Sequence, residues 1–293
     1  MLLHFWQKLV QRGTFFKRLL CLVFIAGGCA LIVGCDEAPV VETRLGERAI
    51  AYTEALIAAH PQRDAGVHSE AVASWLVAQL GAGAEQQVFQ TPHGTMVNVV
   101  KPHQDAVAML VSHYDTKSGI PNFVGANDGA STTGLLLALA TETDWPVTYL
   151  FLDGEECREA YSSKDGLHGS WHYAKTLPAS KRLPVIVLDM LGDKDLQLGL
   201  AANGSSQLNR LIRRAAKQAG IALFDAGEIV DDHLPFVIEG WQAADIIDFD
   251  YGPEHCWWHT ADDTMDKLSS TSLAQAATLV REVIDCLMKE KRK

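Results

Sequence analysis

The chain has 293 residues and a formal net charge of −11, with 36 acidic residues against 25 basic ones. This acidic balance argues against nucleic acid and anionic lipid surfaces as partners, because both repel a negatively charged protein. The length suits one α/β domain with a substantial core rather than an array of domains.

The first 34 residues are typical of an export signal. Their only charges are four basic residues, and an apolar run at 19–34 is short for a membrane span but suits a signal-peptide core. The run ends in Ile32-Val33-Gly34-Cys35, a lipobox whose cysteine is acylated and becomes the first mature residue; Cys29 is a poorer match. We expect residues 1–34 to be a lipoprotein signal peptide and Cys35 to be lipidated. An uncleaved anchor is the alternative.

This export signal places the protein in the bacterial cell envelope, lipid-anchored on the periplasmic side of a membrane. Without residues 1–34 the chain has 21 basic against 36 acidic residues, a net charge of −15. We predict a tether at 35–41 and one catalytic domain at 42–293.

Strands and helices alternate along this domain. Two helices are predicted first, at 42–60 and 69–80, and then a hairpin with strands at 87–90 and 96–100. Further strands are predicted at 106–111, 147–152, 185–188, 196–200 and 243–249, and further helices at 133–140, 170–177, 206–219 and 272–289. The alternation predicts a single α/β domain with a mostly parallel mixed sheet flanked by helices on both faces.

Two adjacent glutamates, Glu155 and Glu156, follow the apolar run 147–152 directly. Neighbouring carboxylates repel each other, so this pair calls for a cation. Other ligand-type residues also follow predicted strands or begin the next helix, namely His113, Asp115, Asp128, Asp189 and His259. Because the carboxyl ends of parallel strands meet at one crevice, these side chains can converge. Histidine and carboxylate without thiolate favour a catalytic zinc site with an open coordination position.

Taken singly, each of these residues has a structural explanation, such as a helix cap for Asp128 or a hydrogen-bonded loop histidine for His259. Two cysteines are close in sequence to the predicted ligands: Cys157 follows Glu156, and Cys256 precedes His259 by three residues. Spacing alone does not decide whether these cysteines pair.

Six ordered sequence blocks resemble those of the zinc exopeptidase superfamily. They are His113-Tyr114-Asp115, Gly125-Ala126-Asn127-Asp128-Gly129-Ala130-Ser131, Asp153-Gly154-Glu155-Glu156, Leu188-Asp189-Met190-Leu191-Gly192, Asp231-Asp232-His233 and Trp258-His259-Thr260. The superfamily includes the aminopeptidases of metallopeptidase family 28 and the glutaminyl-peptide cyclotransferases. The resemblance implies the fold called zinc aminopeptidase or phosphorylase-hydrolase-like.

The twelve residues between Glu156 and Gly169 resemble the insert of the cyclotransferases, whereas the aminopeptidases usually have only a few residues there. The segment Asp231-Asp232-His233-Leu234-Pro235-Phe236 is also similar to the cyclotransferases. One departure is Tyr161, which stands where animal cyclases have a tryptophan that lines the glutamine pocket. The resemblance therefore favours a zinc-dependent glutaminyl-peptide cyclotransferase, which forms N-terminal pyroglutamate on peptides or proteins and releases ammonia.

The resemblance also implies roles for the residues. The expected zinc ligands are Asp128, Glu156 and His259, and the expected proton carrier is Glu155. The remaining roles are hydrogen bonding around the leaving nitrogen by Asp189 and Asp231, a pocket wall at Trp258, and orientation of His113 by Asp115.

Two other functions stay open. If His113 and Asp189 bind a second metal, with Asp128 bridging, the same site is that of a di-zinc aminopeptidase. A lipoprotein that keeps the fold only for binding is a remote alternative, because no ligand is missing.

Overall fold

The computed structural model describes residues 38–158 and 165–292, with side chains described from residue 42. The predicted signal peptide, Cys35 and Tyr161 lie outside the described residues. Within those ranges, no helix combines the length and apolar character needed to cross a membrane. The first helix begins at Ala38, inside the segment predicted as a tether.

Eight strands form one mixed sheet in the order β1-β2-β4-β3-β5-β8-β6-β7. They are β1 Glu85–Thr91, β2 Gly94–Lys101, β3 Ala108–His113, β4 Val147–Leu152, β5 Val185–Asp189, β6 Gly199–Leu200, β7 Phe224–Asp225 and β8 Ala243–Ile247. The four central strands, β4, β3, β5 and β8, run parallel, while β2 and β6 pair antiparallel with β4 and β8. The predicted mostly parallel mixed sheet is confirmed.

Seven α-helices cover this sheet. They are α1 Ala38–Ala59, α2 Ser69–Leu80, α3 Thr132–Glu142, α4 His168–Ala174, α5 Ser206–Ala219, α6 His233–Ile238 and α7 Ser270–Lys291. The larger core joins one face of the sheet to α1, α2, α3, α5 and α7, and a smaller core joins the other face to α4 and α6. Helices on both faces confirm the predicted three-layer α/β arrangement.

The central strands are apolar on both sides because both of their faces are covered. Side chains of a strand alternate between faces, so Leu110 packs in the larger core while its neighbours Met109 and Val111 pack in the smaller one. Such burial leaves few polar residues inside these strands, and the carboxyl ends of the four neighbouring parallel strands form one crevice.

Candidate metal centre

The central strands and the loops after them place the predicted ligands at one edge of the sheet. His113 and Asp189 are the last residues of β3 and β5. Glu156 lies just after β4, and His259 lies in the loop between β8 and α7. Asp128 lies in the irregular turn Ala126–Ser131 that precedes α3.

These five side chains form two groups that share Asp128. His259 Nε2 lies 3.1 Å from Glu156 Oε1 and 3.3 Å from Asp128 Oδ2. On the other side, His113 Nε2 lies 3.3 Å from both Asp128 Oδ1 and Asp189 Oδ1. Within each group the candidate ligand atoms are no more than 4.8 Å apart, which is the spacing that a bound metal ion requires.

The charges of this cluster do not balance without a cation. Burial raises the pKa of Glu156 to about 7, and the charge of Asp128 acts in the same direction. Burial opposes protonation of His259, but its contacts with Asp128 and Glu156 outweigh burial and raise its pKa to about 10. Without a cation, the cluster can reduce its negative charge only by holding protons on its histidines and on Glu156. A divalent ion bound between these side chains would take the place of those protons.

The donor set fits zinc. Imidazole nitrogen and carboxylate oxygen are the usual ligands of catalytic zinc, and three protein donors leave a position open for substrate. Asp128 Oδ2 is buried and makes no hydrogen bond to any described residue, which is the condition expected of an atom that ligates a metal. Asp128, Glu156 and His259 would hold one ion, and His113 and Asp189 with Asp128 could hold a second.

Asp115 is fully buried and supports both sides of the site. Its Oδ1 lies 3.5 Å from His113 Nδ1, in the position predicted for a residue that orients this ring. Its two oxygens also accept hydrogen bonds from the backbone N–H groups of Glu155 and Glu156, at 3.1 and 3.2 Å. One carboxylate therefore holds the backbone of the tandem glutamates and lies beside the ring of the histidine.

Trp258 and Glu155 line the pocket beside the metal ligands. The Trp258 ring stacks on His259, with centroids 4.0 Å apart, and meets Phe249 edge to face. Burial and the charge of Glu156 raise the pKa of Glu155 well above its usual value. The whole lining comprises Asp128, Glu155, Glu156, Asp189, Met190, Ile229, Val230, Asp231, Ile247, Phe249, Trp258 and His259.

Two of the site residues have strained backbones. Met190, which directly follows Asp189, has a φ of 55°, and His259 has a φ of 53°. Left-handed conformations are uncommon for residues other than glycine, although histidine adopts them more often than methionine does, and they concentrate at functional sites.

Comparison with known proteins places this site in a family. The model of peptidase family M28 matches residues 95–284. The chain belongs to peptidase family M28. Among solved structures, a glutaminyl cyclase from an Acidobacteriales bacterium is 34% identical, with a TM-score of 0.76 over 84% of this chain and 95% of that chain.

Two relatives of known name represent different activities within the family. The glutaminyl-peptide cyclotransferase-like protein of Mus musculus is 30% identical over 211 residues, which are 58% of this chain and 54% of that protein. Aminopeptidase YwaD of Bacillus subtilis is 29% identical over 220 residues, 67% of this chain and 45% of that protein. The chain thus spans about half the length of these relatives. The predicted resemblance to the cyclotransferase branch of the zinc exopeptidases is confirmed.

Sequence reasoning missed the residues that hold the turn of Asp128. Asp263 Oδ1 accepts hydrogen bonds from Asn127 N at 2.7 Å and Tyr251 Oη at 2.6 Å, and Oδ2 accepts from Asp128 N at 3.1 Å. Asp263 lies three residues after the block Trp258-His259-Thr260. Its closeness in sequence to the predicted ligand His259 was the one feature that could have marked it as part of the site. Gly129 completes the turn with a φ of 85°, and a Cβ there would lie 2.7 Å from Asp115 O.

A fully buried arginine, Arg63, was missed as well. Its guanidinium donates to the backbone carbonyls of His60, Tyr114, Val124 and Gly125. Burial lowers its pKa to about 10, so the side chain stays charged at neutral pH. Arg63 thereby ties together the two chain segments that lead to Asp115 and Asp128.

Two backbone hydrogen bonds join the end of the predicted insert, residues 157–168, to the residues just before it. Leu167 N donates to Glu155 O at 2.9 Å and His168 N donates to Gly154 O at 2.8 Å, so the chain leaves and returns at the tandem glutamates. Close to these bonds, His93 lies in the turn between β1 and β2, and its Nε2 lies 3.6 Å from Asp165 Oδ1.

No disulfide joins the described cysteines, and Cys157 is buried whereas Cys256 is exposed.

Proposed function

We propose that this M28 protein is a zinc-dependent glutaminyl-peptide cyclotransferase. The observation that carries the proposal is the similarity to a solved glutaminyl cyclase over 95% of that chain, at 34% identity. The insert from Cys157 to His168 supports it, because it is the feature by which the sequence resembles cyclotransferases rather than aminopeptidases.

Asp128, Glu156 and His259 would hold the zinc ion. Bound there, zinc supplies a Lewis acid that polarises the γ-amide carbonyl of an N-terminal glutamine. The α-amine nitrogen of the peptide forms a bond to the amide carbon, the bond from that carbon to the amide nitrogen breaks, and ammonia leaves.

Glu155 would carry the proton in this reaction. It lines the pocket beside Glu156, and its carboxylate takes a proton from the attacking amine and returns one to the leaving nitrogen. Burial and the charge of Glu156 raise the pKa of Glu155 well above its usual value, and a raised pKa suits a carboxyl group that has to hold a proton between two transfers. No proton from outside the substrate is consumed.

Asp189 and Asp231 would accept hydrogen bonds around the leaving nitrogen, since both line the same pocket. Burial raises the pKa of Asp189, and it raises that of Asp231 to about 7. Trp258 supplies an apolar wall against the aliphatic part of the glutamine. The role of Tyr161 in that wall stays a prediction.

A di-zinc aminopeptidase is the second candidate, and a specific observation favours it. His113, Asp128 and Asp189 form a second group at ligand spacing, and Asp128 is shared with the first group. In that reaction the two ions would supply a water of lowered pKa as the nucleophile, and Glu155 would take the proton that this water loses as it attacks the first peptide bond. The complete ligand set argues against the third candidate, a lipoprotein that only binds.

Product analysis separates the candidates. The purified protein should release ammonia from peptides that begin with glutamine faster than it releases amino acids from peptides that begin with leucine or alanine. The same glutamine peptide with an acetylated N-terminus is the control, since it has no amine to attack. The opposite preference identifies an aminopeptidase. Counting the zinc ions bound around Asp128 adds an independent readout, because about one ion there fits the cyclotransferase and about two fit the peptidase.

The lipid anchor and the periplasmic location also stay proposals. The lipobox that ends at Cys35 supports them. Labelled palmitate should be incorporated into the protein in bacterial cells, and the Cys35→Ser variant should remain unlabelled. Equal labelling of both proteins contradicts lipidation at Cys35.

A further inference from the structure

A third group of ligand-type side chains lies behind the pocket. It consists of Asp231, His233 and Asp245, whose candidate ligand atoms lie within 4.8 Å of one another. The three side chains are buried, with His233 and Asp245 fully inaccessible to solvent. Asp245 is an unusual residue for its position, because it occupies the middle of β8 on the face where neighbouring strands carry apolar core residues.

The hydrogen bonds of Asn203 determine which ring nitrogen of His233 carries a proton. Asn203 Nδ2 donates to Ile229 O at 2.7 Å, and Asn203 Oδ1 accepts from Ile229 N at 3.2 Å, so the orientation of the amide is fixed. His233 Nε2 lies 3.2 Å from that same Oδ1 and must therefore be the donor. Burial lowers the pKa of His233 to about 4, which keeps the ring neutral and leaves a lone pair on Nδ1.

That lone pair faces a carboxylate. His233 Nδ1 lies 3.6 Å from Asp245 Oδ2, so two acceptors point at each other. Among the described residues, no hydrogen bond of ordinary geometry reaches Nδ1, either oxygen of Asp245 or Asp231 Oδ2, and all four atoms are buried. Burial and the charge of Asp231 raise the pKa of Asp245 well above its usual value, so these two carboxyl groups need either a shared proton or a cation between them. Buried acceptors without a partner carry a free-energy cost, because they have lost their bonds to water. A positive charge between them removes that cost.

We propose that a divalent transition-metal ion of the zinc type binds between Asp231, His233 and Asp245. One imidazole nitrogen together with carboxylate oxygens suits zinc or manganese, whereas calcium and magnesium prefer oxygen alone. Asn203 holds the imidazole in the tautomer that ligates, as the hydrogen-bond partners of metal-bound histidines commonly do. Asp231 also lines the pocket, which gives the ion a route of entry.

The ion would fix the charge state of Asp231. Its Oδ1 accepts a hydrogen bond from the backbone N–H of Asp232, and its Oδ2 faces the proposed site. A metal at Oδ2 keeps this carboxylate ionised, so Asp231 accepts hydrogen bonds in the pocket and does not donate them. The proposal holds for either reaction considered above.

Anomalous diffraction from crystals of the wild-type protein, measured on both sides of the zinc absorption edge, tests the site directly. We expect a peak about 2.0–2.2 Å from His233 Nδ1 and from Asp245, in addition to the one or two peaks around Asp128. A map with zinc at Asp128 and none beside Asp245 overturns the proposal, since protons then neutralise the cluster.

Metal content provides a second test in solution. The Asp245→Asn variant should contain about one equivalent of zinc less than wild type, and the matched exposed variant Asp225→Asn should contain as much as wild type. If Asp245→Asn does not fold, Asn203→Ala leaves all three ligands in place and should weaken zinc binding at this site by about 10–100-fold. Wild-type zinc content in Asp245→Asn, or wild-type affinity in Asn203→Ala, overturns the proposal.

Discussion

Asp263 holds the turn Ala126–Ser131 that contains Asp128, but it is not itself a candidate ligand. Substitutions of Asp263 therefore test how this turn is supported without removing a ligand. It accepts three hydrogen bonds, from Asn127 N, Asp128 N and Tyr251 Oη, and it is fully buried. Asp263→Ala removes all three acceptors and leaves two N–H groups and a phenol buried without partners. At about 1–3 kcal/mol for each such group, the free energy of unfolding should fall by about 3–6 kcal/mol, part of the loss being recovered by water.

The Asp263→Asn variant should behave differently. Its oxygen still accepts from Asn127 and Tyr251, whereas its NH₂ group replaces the oxygen that faced Asp128 N. Burial and the charge of Asp128 raise the pKa of Asp263 to about 7, so removing this carboxylate also removes part of a repulsion. The net loss of stability should therefore be only about 1 kcal/mol, while zinc affinity falls by about 10–100-fold because Asp128 loses its orientation.

The measurements are denaturant unfolding of the metal-stripped protein and zinc affinity by competition with a chelator. Stripping the metal keeps its own contribution out of the unfolding free energy. The adjacent exposed residue supplies the control, because Asp262→Asn makes the same chemical change without a buried bond. Wild-type zinc affinity in Asp263→Asn, or equal stability of Asp263→Ala and Asp262→Asn, would refute the role of Asp263.

Three further variants test other parts of the site and the core. Glu155→Gln removes the proton carrier and leaves every ligand in place, so kcat should fall by at least about 10²–10⁴-fold at unchanged zinc content. Arg63→Met deprives four carbonyls of their donor and should lower the free energy of unfolding by about 3–5 kcal/mol in denaturant titration. Asp248→Asn removes a buried carboxylate whose pKa burial raises to about 7. The folded wild type keeps this proton between about pH 4 and 7 while the unfolded chain has released it, so its stability falls as pH rises through that window. Asp248 also accepts hydrogen bonds from the backbone N–H groups of Gln197 and Asp250, and an asparagine keeps only one of these two acceptors. The stability of the variant relative to wild type should therefore rise by up to about 4 kcal/mol from pH 4 to pH 8.

Each of these variants has a contradicting outcome, and the first two have a matched control. Glu254→Gln changes an exposed glutamate near the site and should keep wild-type kcat, whereas normal turnover in Glu155→Gln removes that residue from the mechanism. Arg210→Met changes an exposed arginine of α5, and an equal loss of stability in the two arginine variants contradicts the role of Arg63. For Asp248→Asn, a difference from wild type that does not vary with pH contradicts the titration of this group.

The fold class and the ligand set followed from local features of the sequence. Runs of apolar residues such as 147–152 mark strands buried on both faces, and β4 forms at these residues. Because parallel strands point the same way, polar residues at their ends meet wherever the strands lie in the sheet. His113, Glu156 and Asp189 could therefore be grouped without knowing the strand order, and the structure brings them together with Asp128 and His259.

Short and irregular elements were predicted less well. Helix α4 runs from His168 to Ala174 rather than over 170–177, and β6 contains only Gly199 and Leu200 of the predicted 196–200. Their ends depend on contacts with other elements: Leu167 N donates to Glu155 O and His168 N donates to Gly154 O, and these bonds start α4 early. The helix and strand propensities of the residues do not indicate these contacts, so they do not fix where α4 and β6 begin and end.

By itself, the sequence determined the class of the fold, the family and the residue types of the metal site, because each depends on patterns a few residues long at strand ends. Tertiary structure alone decided which groups support that site. Asp263 reaches Asp128 across 135 positions of the chain, and Arg63 reaches Gly125 across 62. The cluster of Asp231, His233 and Asp245 arises because α6 packs beside β8. Such pairings depend on the direction of each donor and acceptor in space, which is set only once loops and helices have packed against the sheet.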